Sequence, residues 1–118
     1  MKKIFHLSNC TTNQRILKEL DLGDDVELQD IKKENIAEKT LDFIKEKVGS
    51  YEALFSKRAM KYRSMKLNEM KLSEEDYKNY MLQEYTFLKR PFIILDDEVF
   101  VGNSKKTVAA AKKAYHGE

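Results

Sequence analysis

The sequence predicts a single α/β domain, because segments with the apolar pattern of strands alternate with segments of helical periodicity. The chain has 118 residues, enough for one hydrophobic core but not for two. Its residues are 42% hydrophobic and 36% charged, a balance typical of globular proteins rather than disordered ones. No internal repeat, low-complexity tract or flexible linker interrupts it, so residues 1–118 are predicted to form one domain.

The first third of the chain predicts a strand, a helix and a second strand. Residues 4–7 are a short apolar run that predicts a buried strand. Thr11 or Thr12 can cap the following helix, whose apolar positions share one face until Gly23. Residues 26–31 then alternate apolar and polar, as expected for a half-buried strand.

From residue 35 onward the apolar period becomes helical. The first helix of this region has an apolar stripe that ends at Gly49, which is suited to a left-handed C-cap. Ser73 can cap a further helix, because three acidic residues follow it at the positive end of the helix dipole. Residues 34–86 are therefore predicted to form a helical subdomain.

The last third predicts a hairpin and a final helix. Pro91 precedes the apolar run 92–95, and a polar turn at 96–98 leads into a second short strand, 99–101. A helix is predicted from Thr107 to about Tyr115. Together the elements make a βαβ unit followed by ββα. This order predicts a thioredoxin-like fold with a mixed four-stranded sheet and an inserted helical subdomain.

Charge and hydropathy exclude several classes of function. The net charge is only +2, which argues against direct nucleic-acid binding. No apolar run approaches the roughly 20 residues needed to cross a bilayer, and the first residues do not resemble a secretory signal. We therefore expect a cytoplasmic protein that does not bind membranes.

A run of basic residues stands out against this near-neutral background. Residues 57–66 contain no acid and five basic side chains, those of Lys57, Arg58, Lys61, Arg63 and Lys66. Such a run is either a solvated helix face or an anion-binding site.

Cys10 is the only cysteine, so no internal disulfide is possible and any thiol chemistry needs a second sulfur from another molecule. The two histidines are far apart in sequence, and we predict no metal site. A lone cysteine is often only a small buried apolar residue. Cys10, however, lies between the first strand and the first helix, where free backbone N–H groups and the helix dipole favour the thiolate. His6 either points toward the active site or is hydrogen-bonded in the interior, and we favour the structural role.

Three short motifs of the sequence are informative when they are taken together. Asn9-Cys10-Thr11-Thr12, which follows a strand, is similar to the active-site loop of the arsenate-reductase/Spx-like branch of the thioredoxin superfamily, and within it to that of the glutathione-dependent reductase-like members. The segment from Ser56 to Arg63 is similar to its Asn-Lys-Arg-x-x-x-Trp-Arg segment. Leu88-Lys89-Arg90-Pro91, followed later by Val101-Gly102, resembles its Ile-Lys-Arg-Pro and Val-Gly elements.

The resemblance implies a role for each candidate site residue. Cys10 would be the catalytic nucleophile, and Pro91 a cis-proline beside the thiol. Arg58 and Arg90 would bind an oxyanion or a carboxylate, because a guanidinium offers paired planar donors. Arg63 would either do the same or brace the inserted helices through a salt bridge. The remaining candidates for the substrate-binding site are two polar side chains of the first helix, Thr12 and Asn13.

Departures from the family pattern bear on the substrate. Arsenate reductases of this family carry an arginine beyond the Val-Gly element, where this chain has Asn103. They also carry one four residues after the cysteine, where this chain has Gln14. Asn13 replaces the second cysteine of the Spx-type Cys-x-x-Cys motif, which excludes an intramolecular disulfide switch. Arsenate is therefore a disfavoured substrate.

The resemblance implies a monomeric thiol reductase with no bound cofactor. Its substrate would be a small oxyanion or a thiol or disulfide compound, and glutathione or glutaredoxin would supply the electrons. The alternative is a non-enzymatic regulator of the Spx type that binds RNA polymerase or another protein.

Overall fold

The computed structural model describes residues 1–117, which form two compact units. The sheet unit comprises residues 1–34 and 90–117, and the helical unit comprises Asn35–Lys89. In the chain, the helical unit is thus inserted between the two halves of the sheet unit. No helix within residues 1–117 is long and apolar enough to span a bilayer.

The sheet unit contains four strands: β1 (Lys2–His6), β2 (Glu27–Asp30), β3 (Phe92–Leu95) and β4 (Glu98–Val101). Their order in the sheet is β2-β1-β3-β4. β1 pairs parallel with β2 and antiparallel with β3, and β3 pairs antiparallel with β4. The predicted mixed four-stranded sheet is therefore confirmed.

Two helices, α1 (Thr11–Leu20) and α5 (Lys105–His116), pack with the sheet around one apolar core. α1 contributes Ile16 and Leu20, which are at most 1% exposed, and α5 contributes Val108. Burial of each such side chain contributes about 1.5–3 kcal/mol to folding. α5 begins at Lys105, two residues before the predicted start, because Ser104 accepts a hydrogen bond from the Thr107 backbone and caps the helix.

The helical unit contains α2 (Glu38–Val48), α3 (Met60–Ser64) and α4 (Glu74–Gln83). Short 3₁₀ turns lie between and after them, at Glu52–Leu54, Leu67–Glu69 and Tyr85–Phe87. Phe55 stacks on Phe87 with ring centroids 4.9 Å apart and meets Tyr77 edge-on at 5.0 Å. α2 ends at Gly49 as predicted, in a left-handed conformation with φ of 118°. α3 lies within the basic run of residues 57–66, and none of its five residues is buried.

Candidate thiol site

Cys10 is the N-cap residue of α1. Its carbonyl oxygen accepts the hydrogen bond of the Gln14 N–H at 3.0 Å, and its own N–H donates to the Leu7 carbonyl at 3.1 Å. The side chain is half-buried, and the first turn of α1 contains no acidic residue that would oppose a thiolate. The sequence thus folds Cys10 into the predicted position between strand and helix, at the N-terminus of α1.

Asn13 lies in the first turn of α1 and is 1% exposed. Its Oδ1 accepts a hydrogen bond from the Leu7 N–H at 2.9 Å, so the side chain fixes the loop between β1 and Cys10. Its Nδ2 is buried without a hydrogen-bond partner among the described residues. Asn13 was a candidate for the substrate-binding site; the structure buries its side chain and uses it to anchor the loop, and its contact with substrate stays a prediction. Thr12 is half-buried, and its contact with substrate stays a prediction.

The sheet brings Arg90 and Pro91 to the same end of the sheet as Cys10. Phe92 pairs with Phe5 in antiparallel register, so the residues that precede Phe92 lie where β1 ends. Cys10 lies in the chain just after β1 and is therefore at the same end of the sheet. The Arg90–Pro91 peptide bond is cis, as the resemblance implied. Pro91 is buried and its carbonyl accepts the Gly102 N–H at 3.0 Å, while Arg90 is half-buried.

Arg58 and Arg63 belong to the helical unit, and both are exposed. Lys57 and Lys61 of the same basic run are ion-paired, Lys57 with Glu52 at 2.7 Å and Lys61 with Glu84 at 2.5 Å. Within residues 1–117 neither arginine makes an ion pair, so the salt-bridge role considered for Arg63 is not observed. Binding of an anion by these arginines stays a prediction.

A polar pair that sequence reasoning missed joins the ends of the two parallel strands. The Ser8 hydroxyl donates to Asp30 Oδ2 at 2.6 Å, and the Lys32 N–H donates to Oδ1 at 3.1 Å. The Ser8 hydroxyl is the main reason that the pKa of Asp30 lies below its ordinary value. The parallel pairing of β1 with β2 sets His6 opposite Asp30. This register would have predicted that the residues after the two strands lie close together.

His6 is buried as predicted, with 8% of its surface exposed. Burial lowers the pKa of its imidazole, and the nearby Asp30 carboxylate opposes this shift more weakly. The expected interior hydrogen bond is not found for Nδ1, which has no partner among the described residues. Residues 1–117 contain no group of three or more His, Cys, Asp or Glu side chains that could hold a metal ion.

The fold and the site together define a thioredoxin-like α/β protein with a single cysteine at the start of its first helix. The model of the ArsC family matches residues 5–111. The chain therefore belongs to the ArsC family, and this membership supports the class of thiol-dependent reductases that the motifs implied. No curated protein matches the sequence significantly.

Solved structures of similar fold carry related descriptions. Arsenate reductase from Vibrio cholerae is 15% identical with a TM-score of 0.79, and the match covers 93% of this chain and 96% of that one. An arsenate reductase (ArsC) related protein from Brucella melitensis is 24% identical with a TM-score of 0.65, covering 99% and 95%. A protein of Streptococcus mutans UA159 described as a possible arsenate reductase is 24% identical with a TM-score of 0.73, covering 89% and 92%. At these identities the likeness establishes the fold.

Proposed function

We propose that this chain is a thiol-dependent reductase in which the Cys10 thiolate forms a covalent adduct with an oxidised substrate. The observation that carries the proposal is the position of Cys10 as the N-cap of α1, at the sheet end that also holds Arg90 and Pro91. A thiolate is the reactive form of cysteine, and a helix N-terminus stabilises it. Family membership supports the same chemistry.

The reaction with a glutathione mixed disulfide shows the proposed steps. The Cys10 thiolate attacks the glutathione sulfur, the substrate S–S bond breaks, and the substrate leaves as a thiolate. Cys10 is then disulfide-bonded to glutathione. A second glutathione thiolate, or a glutaredoxin thiolate, attacks the glutathione sulfur of that disulfide. The bond to Cys10 breaks, Cys10 leaves as the thiolate, and glutathione disulfide, or a glutaredoxin–glutathione mixed disulfide, is released. The external thiol is required because Cys10 is the only cysteine of the chain.

In this proposal Arg90 and Arg58, with Arg63 as a further candidate, bind the anionic part of the substrate, a carboxylate or an oxyanion. Arsenate is the less favoured oxyanion, because Asn103 stands where the resemblance implies an arginine. A small disulfide compound is the favoured substrate class.

The first test replaces the nucleophile. We expect Cys10→Ser to abolish glutathione-dependent reduction of a mixed disulfide, while Thr11→Ala, at the exposed first residue of α1, retains most of it. Mass spectrometry of the wild-type protein with substrate and no reductant should show one adduct on Cys10. Full activity of Cys10→Ser would overturn the proposal. No thiol activity in the wild type, together with co-purification of RNA polymerase, would favour the regulator alternative.

A second test addresses the arginines without knowledge of the substrate. Iodoacetate is an anion and iodoacetamide is neutral, and both alkylate the same thiolate. We expect Arg90→Gln and Arg58→Gln to lower the ratio of the iodoacetate rate to the iodoacetamide rate by about threefold or more. Arg15→Gln, which removes an exposed arginine of α1, is the matched control and should leave the ratio unchanged. An equal ratio in all four proteins would contradict the anion-binding role.

A further inference from the structure

The loop of residues 7–10 joins β1 to α1 and ends at Cys10. The Cys10 N–H donates to the Leu7 carbonyl at 3.1 Å, which closes the loop as a tight turn. Ser8 and Asn9 in the middle of the turn are exposed, whereas Leu7 is buried. Because Cys10 follows this turn directly, the position of its sulfur depends on the groups that hold the backbone of residues 7 and 8.

The Cys10 side chain does not itself cap the helix. Ser73 and Ser104 cap α4 and α5 with their hydroxyl groups. The thiol of Cys10, at the same position of α1, makes no capping hydrogen bond to the described residues. A thiol is only a weak acceptor, so the sulfur is not taken up by the helix. The start of α1 is therefore fixed by other side chains.

Two consecutive side chains of α1 reach back across Cys10 to the loop. Asn13 Oδ1 accepts from the Leu7 N–H at 2.9 Å, and Gln14 Nε2 donates to the Ser8 carbonyl at 2.9 Å. Asn13 is 1% exposed, so its side chain acts on the loop, and through the loop on Cys10. We call Asn13 and Gln14 the loop anchors.

Asp30 holds the same loop from the strand side. Its Oδ1 accepts from the Ser8 N–H at 3.4 Å, and its Oδ2 accepts from the Ser8 hydroxyl at 2.6 Å. Every backbone N–H and C=O group of residues 7 and 8 thus has a hydrogen-bond partner. Asp30 joins the loop to β2, whereas the loop anchors join it to the helix that begins at Cys10.

The proposed reaction depends on where the sulfur lies. In thiol–disulfide exchange the thiolate attacks one sulfur of a disulfide, in line with the bond that breaks. A displacement of about 1 Å from the reactive geometry can lower a rate about 100-fold. Side chains of a helix position a reacting group more precisely than a free loop does.

We propose that Asn13 and Gln14 are positioning residues, which hold the loop so that the Cys10 sulfur meets a bound disulfide in line with its S–S bond. Each acts through the loop and not on the reacting atoms. This inference rests on the reductase function proposed above, and it adds two residues on which the rate of that reaction depends.

The experiment compares two reactions of the same thiol on the full chain. Iodoacetamide is small and alkylates Cys10 without being held in one orientation, whereas the mixed disulfide of glutathione and 2-mercaptoethanol must present its S–S bond in line. The ratio of the disulfide rate to the iodoacetamide rate cancels a change in the fraction of thiolate. A wild-type disulfide rate no higher than that of glutathione itself would overturn the reductase proposal, whatever the variants show.

Two variants each remove one loop anchor. Asn13→Ala removes the acceptor of the Leu7 N–H, and Gln14→Met removes the donor to the Ser8 carbonyl at nearly constant length. We expect the ratio to fall about tenfold in Asn13→Ala and about threefold in Gln14→Met. Asn13→Asp keeps an oxygen acceptor and should restore most of the ratio. The Leu7 amide should exchange its hydrogen faster in Asn13→Ala than in the wild type.

Lys18→Met is the matched control. Lys18 is an exposed residue of α1, and its side chain makes no hydrogen bond or ion pair within residues 1–117, so the ratio should not change. Gln14 is also exposed, so Gln14→Met still tests the proposal if Asn13→Ala does not fold. A wild-type ratio in both anchor variants, or an equal fall in Lys18→Met, would overturn the positioning role and leave the reductase proposal intact.

Discussion

At the scale of single residues, two buried polar side chains near Cys10 in sequence have atoms without a hydrogen-bond partner among residues 1–117. His6 and Asn13 are the buried polar residues of the described chain, 8% and 1% exposed, and they lie on either side of Cys10 in sequence. His6 Nδ1 and Asn13 Nδ2 lack hydrogen-bond partners among these residues. Such atoms lower stability, and proteins retain them most often where a function requires them. His6 is the last residue of β1 and Asn13 lies in the first turn of α1, so both are close in sequence to the proposed thiol site.

His6 gives a prediction about stability near neutral pH. Burial holds the pKa of His6 below its ordinary value of 6.5, so the folded chain binds this proton less readily than the unfolded chain. As the pH falls below 6.5, the unfolded state is protonated first. The free energy of unfolding should therefore decrease from pH 6.5 down to the lower pKa of the folded state and then level off.

The measurement is urea unfolding of wild type and His6→Phe at about pH 7 and about pH 5.5. Phe keeps an aromatic ring but cannot be protonated, so the free energy of unfolding should decrease less between these two pH values in the variant than in the wild type. It also removes the unpartnered nitrogen, which offsets part of any packing cost. His6→Gln provides a second non-titrating variant if Phe does not fit. The same decrease in the wild type and both variants would show that another group is responsible.

At the scale of elements, the capping residues explain why the start of one helix was predicted correctly from the sequence and the start of another was not. The start of α4 was predicted from Ser73 and the acids after it, and the structure shows a complete capping box there. Ser73 Oγ accepts from the Asp76 N–H at 3.1 Å, and Asp76 Oδ2 accepts from the Ser73 N–H at 2.9 Å. α2, in contrast, has Ala37 as its N-cap, without a capping side chain, and begins three residues after the position that its apolar pattern suggested.

The capping box of α4 yields a stability prediction. Ser73→Ala removes one of the two reciprocal hydrogen bonds and should reduce the free energy of unfolding by about 1 kcal/mol. Ser64→Ala is the control, because Ser64 is exposed, ends α3 and makes no side-chain hydrogen bond within residues 1–117. Chemical denaturation of both variants would measure the difference. Equal stabilities would show that the three acids of the first turn, and not the hydroxyl, stabilise the start of α4.

At the scale of the whole molecule, the order of elements predicted the fold because local signals agreed along the chain. The strand runs, the polar turn predicted at residues 96–98, and the change to helical periodicity after residue 34 each reflect short-range chemistry. The structure begins β4 one residue earlier than predicted, at Glu98. The position of Cys10 was predictable for the same reason. The Ser8–Asp30 hydrogen bond and the burial of Asn13 were not, because they depend on the pairing of strands and on loop packing between distant residues.

Acid stability is a property of both units, because each contains carboxylates stabilised in their charged form. In the sheet unit the N-terminal amine, with Lys2, lowers the pKa of Asp96. In the helical unit the Tyr51 hydroxyl, with Lys78, lowers the pKa of Asp42, and Lys57 does so for Glu52. A carboxylate with a lowered pKa contributes stability above its ordinary pKa and loses that contribution as the pH falls through its folded value.

We therefore expect a second loss of stability below pH 3.8, the ordinary pKa of aspartate, separate from the change that His6 causes below pH 6.5. Asp42→Asn and Asp96→Asn each remove one such carboxylate, one in each unit, and should make the loss between about pH 4 and pH 2 smaller. Asp97→Asn, at the neighbouring exposed turn position, is the control for Asp96→Asn. Thermal unfolding across this pH range would measure the effect. A loss of equal size in the wild type and in both paired-site variants would contradict the assignment, and would place the acid sensitivity in carboxylates other than Asp42 and Asp96.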